Sequence, residues 1–396
     1  MNKKRKAGKE RRRDRLTPLP EHIIHHILSF LDTRSAVQTS VLSRSWRSAW
    51  KYVPALHFNQ YSFQHYSSFH LYVRKVLSLR HPLNLSTVKF VDDECRSDGR
   101  DDSLVIRVIQ YALSHDAQHL VIYHGNDITS ADIYRFSDLF GSISNCDLKV
   151  LVLDGFDLDS GFGSPHGFRM LTNLILEACM VAGQDLEPFS NFPCLQHLVL
   201  SDFHSYESFC RGDERNCSMK IYGLELLSLK LHTVCFSSID IDVPKLEFLS
   251  IWDDEVEMGY LSFSNLSLPS LQHADIRLHG DLDCIEETKE YMMPQLIYLF
   301  QGLHNAKSLK LYEDTTIPVM LLWLFLLEIK FISFVLFGGL VWWKVEDFWL
   351  CLFLREEDFC GREWKLKTKE GFFILSFGFL YFLALCFSFV HNQAYL

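Results

Sequence analysis

A nine-residue frame, apolar-x-x-apolar-x-apolar-x-x followed by an apolar or polar residue, recurs along the middle of this 396-residue chain and constrains its fold most. It reads Leu148/Leu151/Leu153/Phe156, Leu171/Leu174/Leu176/Cys179, Leu195/Leu198/Leu200/Phe203, Leu226/Leu229/Leu231/Val234 and Leu246/Leu249/Ile251/Asp254. Looser copies are Leu271/Ala274/Ile276/His279 and Ala306/Leu309/Leu311/Asp314, with weaker ones upstream at Leu85/Val88/Phe90 and Ala117/Leu120/Ile122. Two apolar residues flanking a single intervening one are the two-residue alternation of a short, half-buried strand. A lone strand of this kind buries its apolar side only by stacking on the next copy, so the frame predicts a solenoid with one curved parallel sheet. Pro165, Pro188, Pro193, Pro244, Pro269 and Pro294 fall between frames, where the chain turns. The residue after each second strand leucine should point away from the core, giving the row Asp154, Glu177, Ser201, His232, Trp252, Arg277 and Tyr312. Mixed charge with two large aromatics makes that row a candidate recognition surface, because aromatics and arginine dominate interface energetics.

Residues 14–50, DRLTPLPEHIIHHILSFLDTRSAVQTSVLSRSWRSAW, follow a different period. Pro20 suits a helix start, since its missing N–H would be unpaired there anyway. Ile23, Ile24, Ile27, Leu28 and Leu31 then form one apolar stripe at helical spacing. Asp32-Thr33-Arg34-Ser35 interrupts it with turn and N-cap residues, and Ala36, Val37, Val41 and Leu42 resume an apolar face. A third helix opening near Ser43 lays Trp46 and Trp50 on one side at i, i+4. Three short helices in about 40 residues enclose little apolar surface, so one face is expected to need a covering partner.

This segment, continued through KYVPAL, resembles the F-box of plant F-box proteins that carry leucine-rich repeats: the LP, ILSFL, TSVLS, the two tryptophans and the VP stand in order. The downstream frame matches the leucine-rich-repeat strand signature, LTNLILEAC at 171–179 best, with starts 32, 31, 23, 24, 31, 20, 25 and 35 residues apart. The resemblance implies an α/β chain with a three-helix F-box followed by an irregular leucine-rich-repeat solenoid. With the F-box at 14–55 and repeats at 56–316 as the resemblance implies, the charge run leaves a basic arm at 1–13, and the composition leaves at 317–396 an atypical apolar tail that departs from the resembled family. The resemblance further implies a non-catalytic substrate-recognition subunit of an SCF-type ubiquitin ligase, with no cofactor assigned and a small molecule in target binding left open. A Skp-type adaptor, and through it a cullin, would contact Leu19, Pro20, Ile23, Ile24, Ile27, Leu28, Leu31 and Val41. Trp46 and Trp50 would pack the helices, and the outward row would hold an unidentified target protein.

The formal net charge of -10 hides an asymmetry: residues 1–15 carry nine Lys/Arg against Glu10 and Asp14, leaving a strongly acidic body. A run this dense serves as a nuclear import signal, a nucleic-acid-binding arm or a solvated arm. KKRK followed five residues later by RRR fits the first, and the acidic body argues against a dedicated nucleic-acid role. Eleven scattered cysteines without a C-x-x-C pair fit reduced thiols in nucleus and cytoplasm.

Catalytic motifs are missing from the sequence: there is no G-x-S-x-G, H-E-x-x-H or G-K-[ST]. His22 and His26, at i, i+4, supply two ligands where zinc wants three or four, so they read as solvent-facing or partner-facing. GFGSPHG at 161–167 reads as a loop between repeats, and Asp92-Asp93-Glu94 and Asp253-Asp254-Glu255 as solvated turns. From 319 onward the frame stops, and 14 of 32 Phe and 5 of 8 Trp crowd the remainder. Phe372–Val390 is 19 residues without a charge, and its 13 Leu, Ile, Phe and Val are worth up to about 4–8 kcal/mol of bilayer insertion. Glu328 and Lys330 cancel most of that gain in Val319–Trp343. The abrupt change is that of a reading frame entering thymine-rich non-coding sequence, so the expectation is a spliced-in or mispredicted tail. The rival reading is a C-terminal membrane anchor, which would make the chain a leucine-rich scaffold acting outside any ligase.

Overall fold

A computed structural model describes residues 19–92, 103–124, 134–141, 147–159, 162, 168–181, 185–205, 218–223, 225–236, 238–253, 263–278, 298–299, 301–303 and 305–311, together with strands between 333 and 375. These fall into two compact units, one ending at His124 and one starting at Gly125.

The first unit opens with helix α1 (Glu21–Leu28). Pro20 stands just before it as the N-cap, extended at φ −60° and ψ 147°, and its carbonyl accepts the Ile23 and Ile24 N–H groups. Helix α2 (Thr33–Gln38) starts from Asp32, whose Oδ1 accepts the Ser35 N–H at 2.5 Å and so satisfies one of the amides a helix start leaves over. A 3-10 turn at Thr39–Val41 leads to α3 (Trp46–Ala49), a single turn whose first hydrogen bond runs from the Arg47 N–H to the Ser43 carbonyl. Ile24, Leu28, Ala36, Trp46, Ala49, Trp50 and Val53 are buried together as the core residues of this stretch.

Strand β1 (Ala55–Asn59) follows at once, carrying a further copy of the frame, Val53/Leu56/Phe58. Helix α4 (Tyr66–Leu79) returns the chain to β2 (Thr87–Val91), and α5 (Ser103–Ser114) returns it to β3 (His119–Tyr123). The three strands pair in parallel and in register, with Leu56, Val88 and Leu120 aligned on the buried side. No seam separates helices from strands near residue 55. The buried Thr33 hydroxyl accepts the His57 N–H at 2.7 Å, and the Arg80 guanidinium donates to the Trp50 carbonyl at 3.3 Å and to the Val53 carbonyl.

Asp92 corrects the expectation of a solvated acidic turn. Its N–H donates to the Tyr123 carbonyl, extending the ladder by one residue, and its carboxylate is fully buried 4.0 Å from the Nδ1 of buried His124. Asp93 and Glu94 lie outside the described residues, as do Asp254, Glu255 and all of the 161–167 loop except Phe162.

The second unit runs β4 (Tyr134–Arg135), α6 (Phe136–Phe140), β5 (Val150–Asp154), β6 (Phe156–Leu158), β7 (Asn173–Glu177), β8 (Met180–Val181), β9 (Asp185–Leu186) and β10 (His197–Ser205). It continues through β11 (Ser218–Tyr222), β12 (Ser228–Cys235), β13 (Ser238–Asp242), β14 (Phe248–Asp253), β15 (Phe263–Ser267), β16 (His273–Leu278) and β17 (Ser308–Leu311). Strands β5, β7, β10, β12, β14, β16 and β17 form one parallel ladder in that order. Their frame leucines fill the buried side: Leu151, Leu174, Leu198, Leu229 and Leu249 are fully buried, as are the frame openers Leu148, Leu171 and Leu246. Strands β9, β11, β13 and β15 make a second, smaller parallel sheet in which Met219, Ile239 and Ile241 are buried.

Each of four successive repeats bends at one place. Gly155 (φ 78°), Ala178 (φ 47°), Asp202 (φ 48°) and Thr233 (φ 49°) are all left-handed and immediately follow the outward row. The bend turns the chain so that the ninth frame residue, Phe156, Cys179, Phe203 or Val234, goes back into the core. Burial pushes the Cys179 thiol up to about 12, and the thiol donates to the Leu153 and Glu177 carbonyls at 3.6 and 3.2 Å. Cys179 is therefore an inert packing residue.

Toward the C-terminus the backbone forms strands Ser333–Phe337, Leu340–Val345, Phe348–Phe353, Trp364–Lys367 and Phe372–Leu375, paired mainly antiparallel. The uncharged run thus begins in extended backbone, and its remainder lies outside the described residues. Among the described residues no helix is long and apolar enough to cross a membrane.

A left-handed backbone costs a β-branched side chain on the order of 1–2 kcal/mol and glycine almost nothing. Thr233→Gly should therefore raise the unfolding free energy read from urea denaturation by about 0.5–1 kcal/mol after glycine's entropy is allowed for, whereas Gly155→Ala should lower it by about 1 kcal/mol.

Candidate functional site

The helical module leaves several apolar side chains exposed or half-buried. Ile24 and Leu28, at 1% and 0% exposure, are core residues and have no surface to offer a partner, which corrects their assignment as contacts. They lie on the face of α1 turned toward the tryptophans, with Trp46 and Trp50 buried beside them. Leu19, Ile23, Ile27 and Leu31 are half-buried at the rim, and Pro20 is exposed. Val41, at 86%, stands in solvent at the end of the 3-10 turn. Two residues absent from the expected set join it: Phe30 at 76% and Leu42 at 51%. Phe30 lies beyond the last residue of α1, off its apolar stripe, and is met edge-on by the His26 ring at 4.9 Å. His22 and His26 are exposed on α1, while His25 is half-buried against Tyr52.

The second surface is the outward face of the larger ladder. Asp154 pairs with Glu177, Glu177 with Ser201, Ser201 with His232, His232 with Trp252 and Trp252 with Arg277, so six of the seven row residues fall on one line across six strands. Tyr312 lies outside the described residues. Every one of the six is half-buried. The His232 and Trp252 rings stack at 4.8 Å and 17°, the Arg277 guanidinium lies 5.9 Å from the indole centroid, and Ser201 Oγ is 3.4 Å from His232 Nδ1. At the other end, burial and the neighbouring carboxylates of Asp154 and Asp202 raise the Glu177 pKa above its ordinary value.

Residues 16–57 match the F-box domain. The chain is similar to several Arabidopsis thaliana proteins of that class. It is 31% identical over 191 residues to a putative F-box/LRR-repeat protein, covering 47% of this chain and 38% of the relative. To another F-box/LRR-repeat protein it is 26% identical over 353 residues, covering 82% of this chain and 98% of the relative. A putative F-box protein matches at 26% over 307 residues, where the chain spans 62% of the relative's length. The protein thus carries an N-terminal helical F-box and a parallel-strand sheet consistent with a leucine-rich-repeat solenoid, and it resembles plant F-box proteins of the leucine-rich-repeat kind.

Two outcomes follow from these surfaces. Leu28→Ala should cost about 2–5 kcal/mol of stability by emptying the module's core, while Phe30→Ala should stay within about 0.5 kcal/mol, both read from chemical denaturation. Glu177 holds its proton to higher pH when folded than when unfolded, so it lowers stability as pH rises from about 4.5 through the raised value. Glu177→Gln should accordingly raise the urea midpoint at pH 7 and leave it unchanged at pH 4.

Proposed function

We propose that this protein is a substrate-recognition subunit of an SCF-type ubiquitin ligase, its F-box docking a Skp-type adaptor bound to a cullin and its repeats holding a target protein. The observation that carries this reading is the exposure of Phe30, Val41 and Leu42 on a module whose tryptophans are already fully used in its core. Large apolar side chains left exposed on a folded module mark candidate interaction residues, and the match to the F-box domain supports an adaptor of the Skp type as their partner. Adaptor contact falls to Phe30, Val41 and Leu42, with Leu19, Pro20, Ile23, Ile27 and Leu31 at the rim, while Ile24 and Leu28 support them from within.

On this reading the chain contributes no bond-making chemistry. Holding a target beside the conjugating machinery converts an encounter into an effectively intramolecular step, which needs position and not a catalytic residue in this subunit. The basic run at residues 1–15 suits nuclear import, so we place the protein in both nucleus and cytoplasm.

The full-length protein carrying Phe30→Asp and Val41→Asp should lose adaptor and cullin co-purification by at least about 30-fold, as expected for two central apolar contacts worth roughly 2 kcal/mol or more together. Its circular dichroism spectrum and melting temperature should stay close to those of the unaltered chain. Undiminished recovery of adaptor and cullin would refute the assignment.

A further inference from the structure

The two long helices of the first unit carry a basic face set with exposed leucines, in a chain whose net charge is negative. Helix α4 turns Phe69, Val73, Val76 and Leu77 onto the sheet, where the Phe69 ring meets that of Phe90 at 5.6 Å. Its other side exposes Leu71, Arg74, Lys75, Ser78 and Leu79, and Leu83 is exposed just beyond it. Leu71, Lys75 and Leu79 follow at i, i+4 and i+8, so the ammonium stands between two leucines about 12 Å apart along the axis. Helix α5 repeats the arrangement 32 residues on. Val105, Val108, Ile109 and Ala112 are buried there as Val73, Val76, Leu77 and Arg80 are in α4, which puts exposed Arg107 in the place of Lys75. The helices touch, and packed helices lie about 8–10 Å apart, so the cations continue from one repeat to the next. Neither helix contains Asp or Glu, and among the described residues no carboxylate pairs with Arg74, Lys75 or Arg107.

We propose that this face docks an acidic amphipathic helix of a partner protein, laid along α4 with two apolar residues against Leu71 and Leu79 and its carboxylates facing Arg74, Lys75 and Arg107. The inference goes beyond the adaptor and target reading, since it uses neither Phe30, Val41 and Leu42 nor the outward row. Charge complementarity selects the sign of the occupant: its carboxylates meet three cations and no like charge on either helix. The leucines select its form. Their separation of about two turns suits a second helix lying lengthwise, the mode in which apolar anchors about seven positions apart carry the contact. Nucleic acid offers phosphates to the cations and nothing to the leucines. A membrane would take the continuous apolar side of an amphipathic helix, and in α4 that side, Phe69, Val73, Val76 and Leu77, is already spent on the sheet.

The test is selection from a displayed library of helical peptides of about 20 residues on the full-length protein, after depletion on full-length Lys75→Glu/Arg107→Glu. That variant keeps the basic arm and the F-box surface, so depletion removes peptides that bind either. The peptides that remain should carry apolar residues about seven or eight positions apart, flanked by Asp or Glu. They should bind Leu71→Ala/Leu79→Ala at least about tenfold more weakly and Phe30→Asp as well as the unaltered chain. With the order reversed, depletion on the unaltered protein and selection on Lys75→Glu/Arg107→Glu should enrich the same apolar spacing flanked by Lys or Arg, a gain that misfolding cannot produce. No remaining peptide, uncharged or basic ones, or binding indifferent to Leu71→Ala/Leu79→Ala would overturn the proposal. So would sedimentation of the protein with mixed phosphatidylcholine and phosphatidylserine vesicles that is lost in Lys75→Glu/Arg107→Glu, which would give the face to a membrane instead.

Discussion

Parallel pairing in strict register is the constraint on which the second unit depends. Because strand side chains alternate, a slip of one residue between β7 and β10 would turn Leu198 and Leu200 outward and carry Val199 and Ser201 into the core. For β16 the same slip would bury Asp275 and Arg277, and an unpaired buried charge costs far more than the methylenes it displaces. The two faces therefore enforce the same register, one by attraction of the frame leucines and one by the cost of desolvating charge. The left-handed residues add a third lock. The Gly155 N–H donates to the Glu177 carbonyl and the Ala178 N–H to the Ser201 carbonyl, so the bend of one repeat is bonded to the strand end of the next. The alignment of the outward row follows from these locks.

In the first unit the comparable constraint is the bonding of the F-box to the first strands. A module this small has little cohesion by itself, and here its last buried residues, Trp50 and Val53, are also the point where the sheet begins. Arg80 bridges backbone carbonyls 27 and 30 residues earlier, leaving neither as a buried orphan. The Thr33 hydroxyl occupies an edge amide of β1 that no other strand covers in this pairing. The Arg34 guanidinium lies 4.5 Å from the Phe63 ring, adding a contact between α2 and the residues after β1. Such a joint keeps the F-box in a set orientation to the sheet it touches.

Legibility in the sequence varied with how far each residue's environment was local. The frame leucines were readable because alternation is a local property, and the outward row followed from them by counting one residue on. The copy at Val53/Leu56/Phe58 escaped because it overlaps the end of the F-box, where a helical period and a strand period share residues. Ile24 and Leu28 were placed on the partner-facing side because helical spacing shows that a stripe is apolar and not which part of it is covered. That division is decided by Trp46 and Trp50, some 20 residues away. Phe30 is hidden for the complementary reason: it follows a helix end, where no period applies, while Leu42 is legible as part of an apolar face but not as its exposed edge. Asp92 read as solvated because nothing in its neighbours signals that the ladder runs one residue past Val91 and turns its carboxylate toward His124.

The two surfaces differ in chemistry as two kinds of partner would require. The F-box surface at Phe30, Val41 and Leu42 is large and apolar, and its energy comes from removing area from water, an attraction that is non-directional and little affected by salt. Interfaces of permanent complexes lean on that term. The row from Asp154 to Arg277 is half-buried and polar, with opposite charge at its ends, and electrostatic complementarity of this kind contributes more to choice of partner and rate of encounter than to raw affinity. Under the proposed function, a subunit that keeps its adaptor while exchanging targets would use that division.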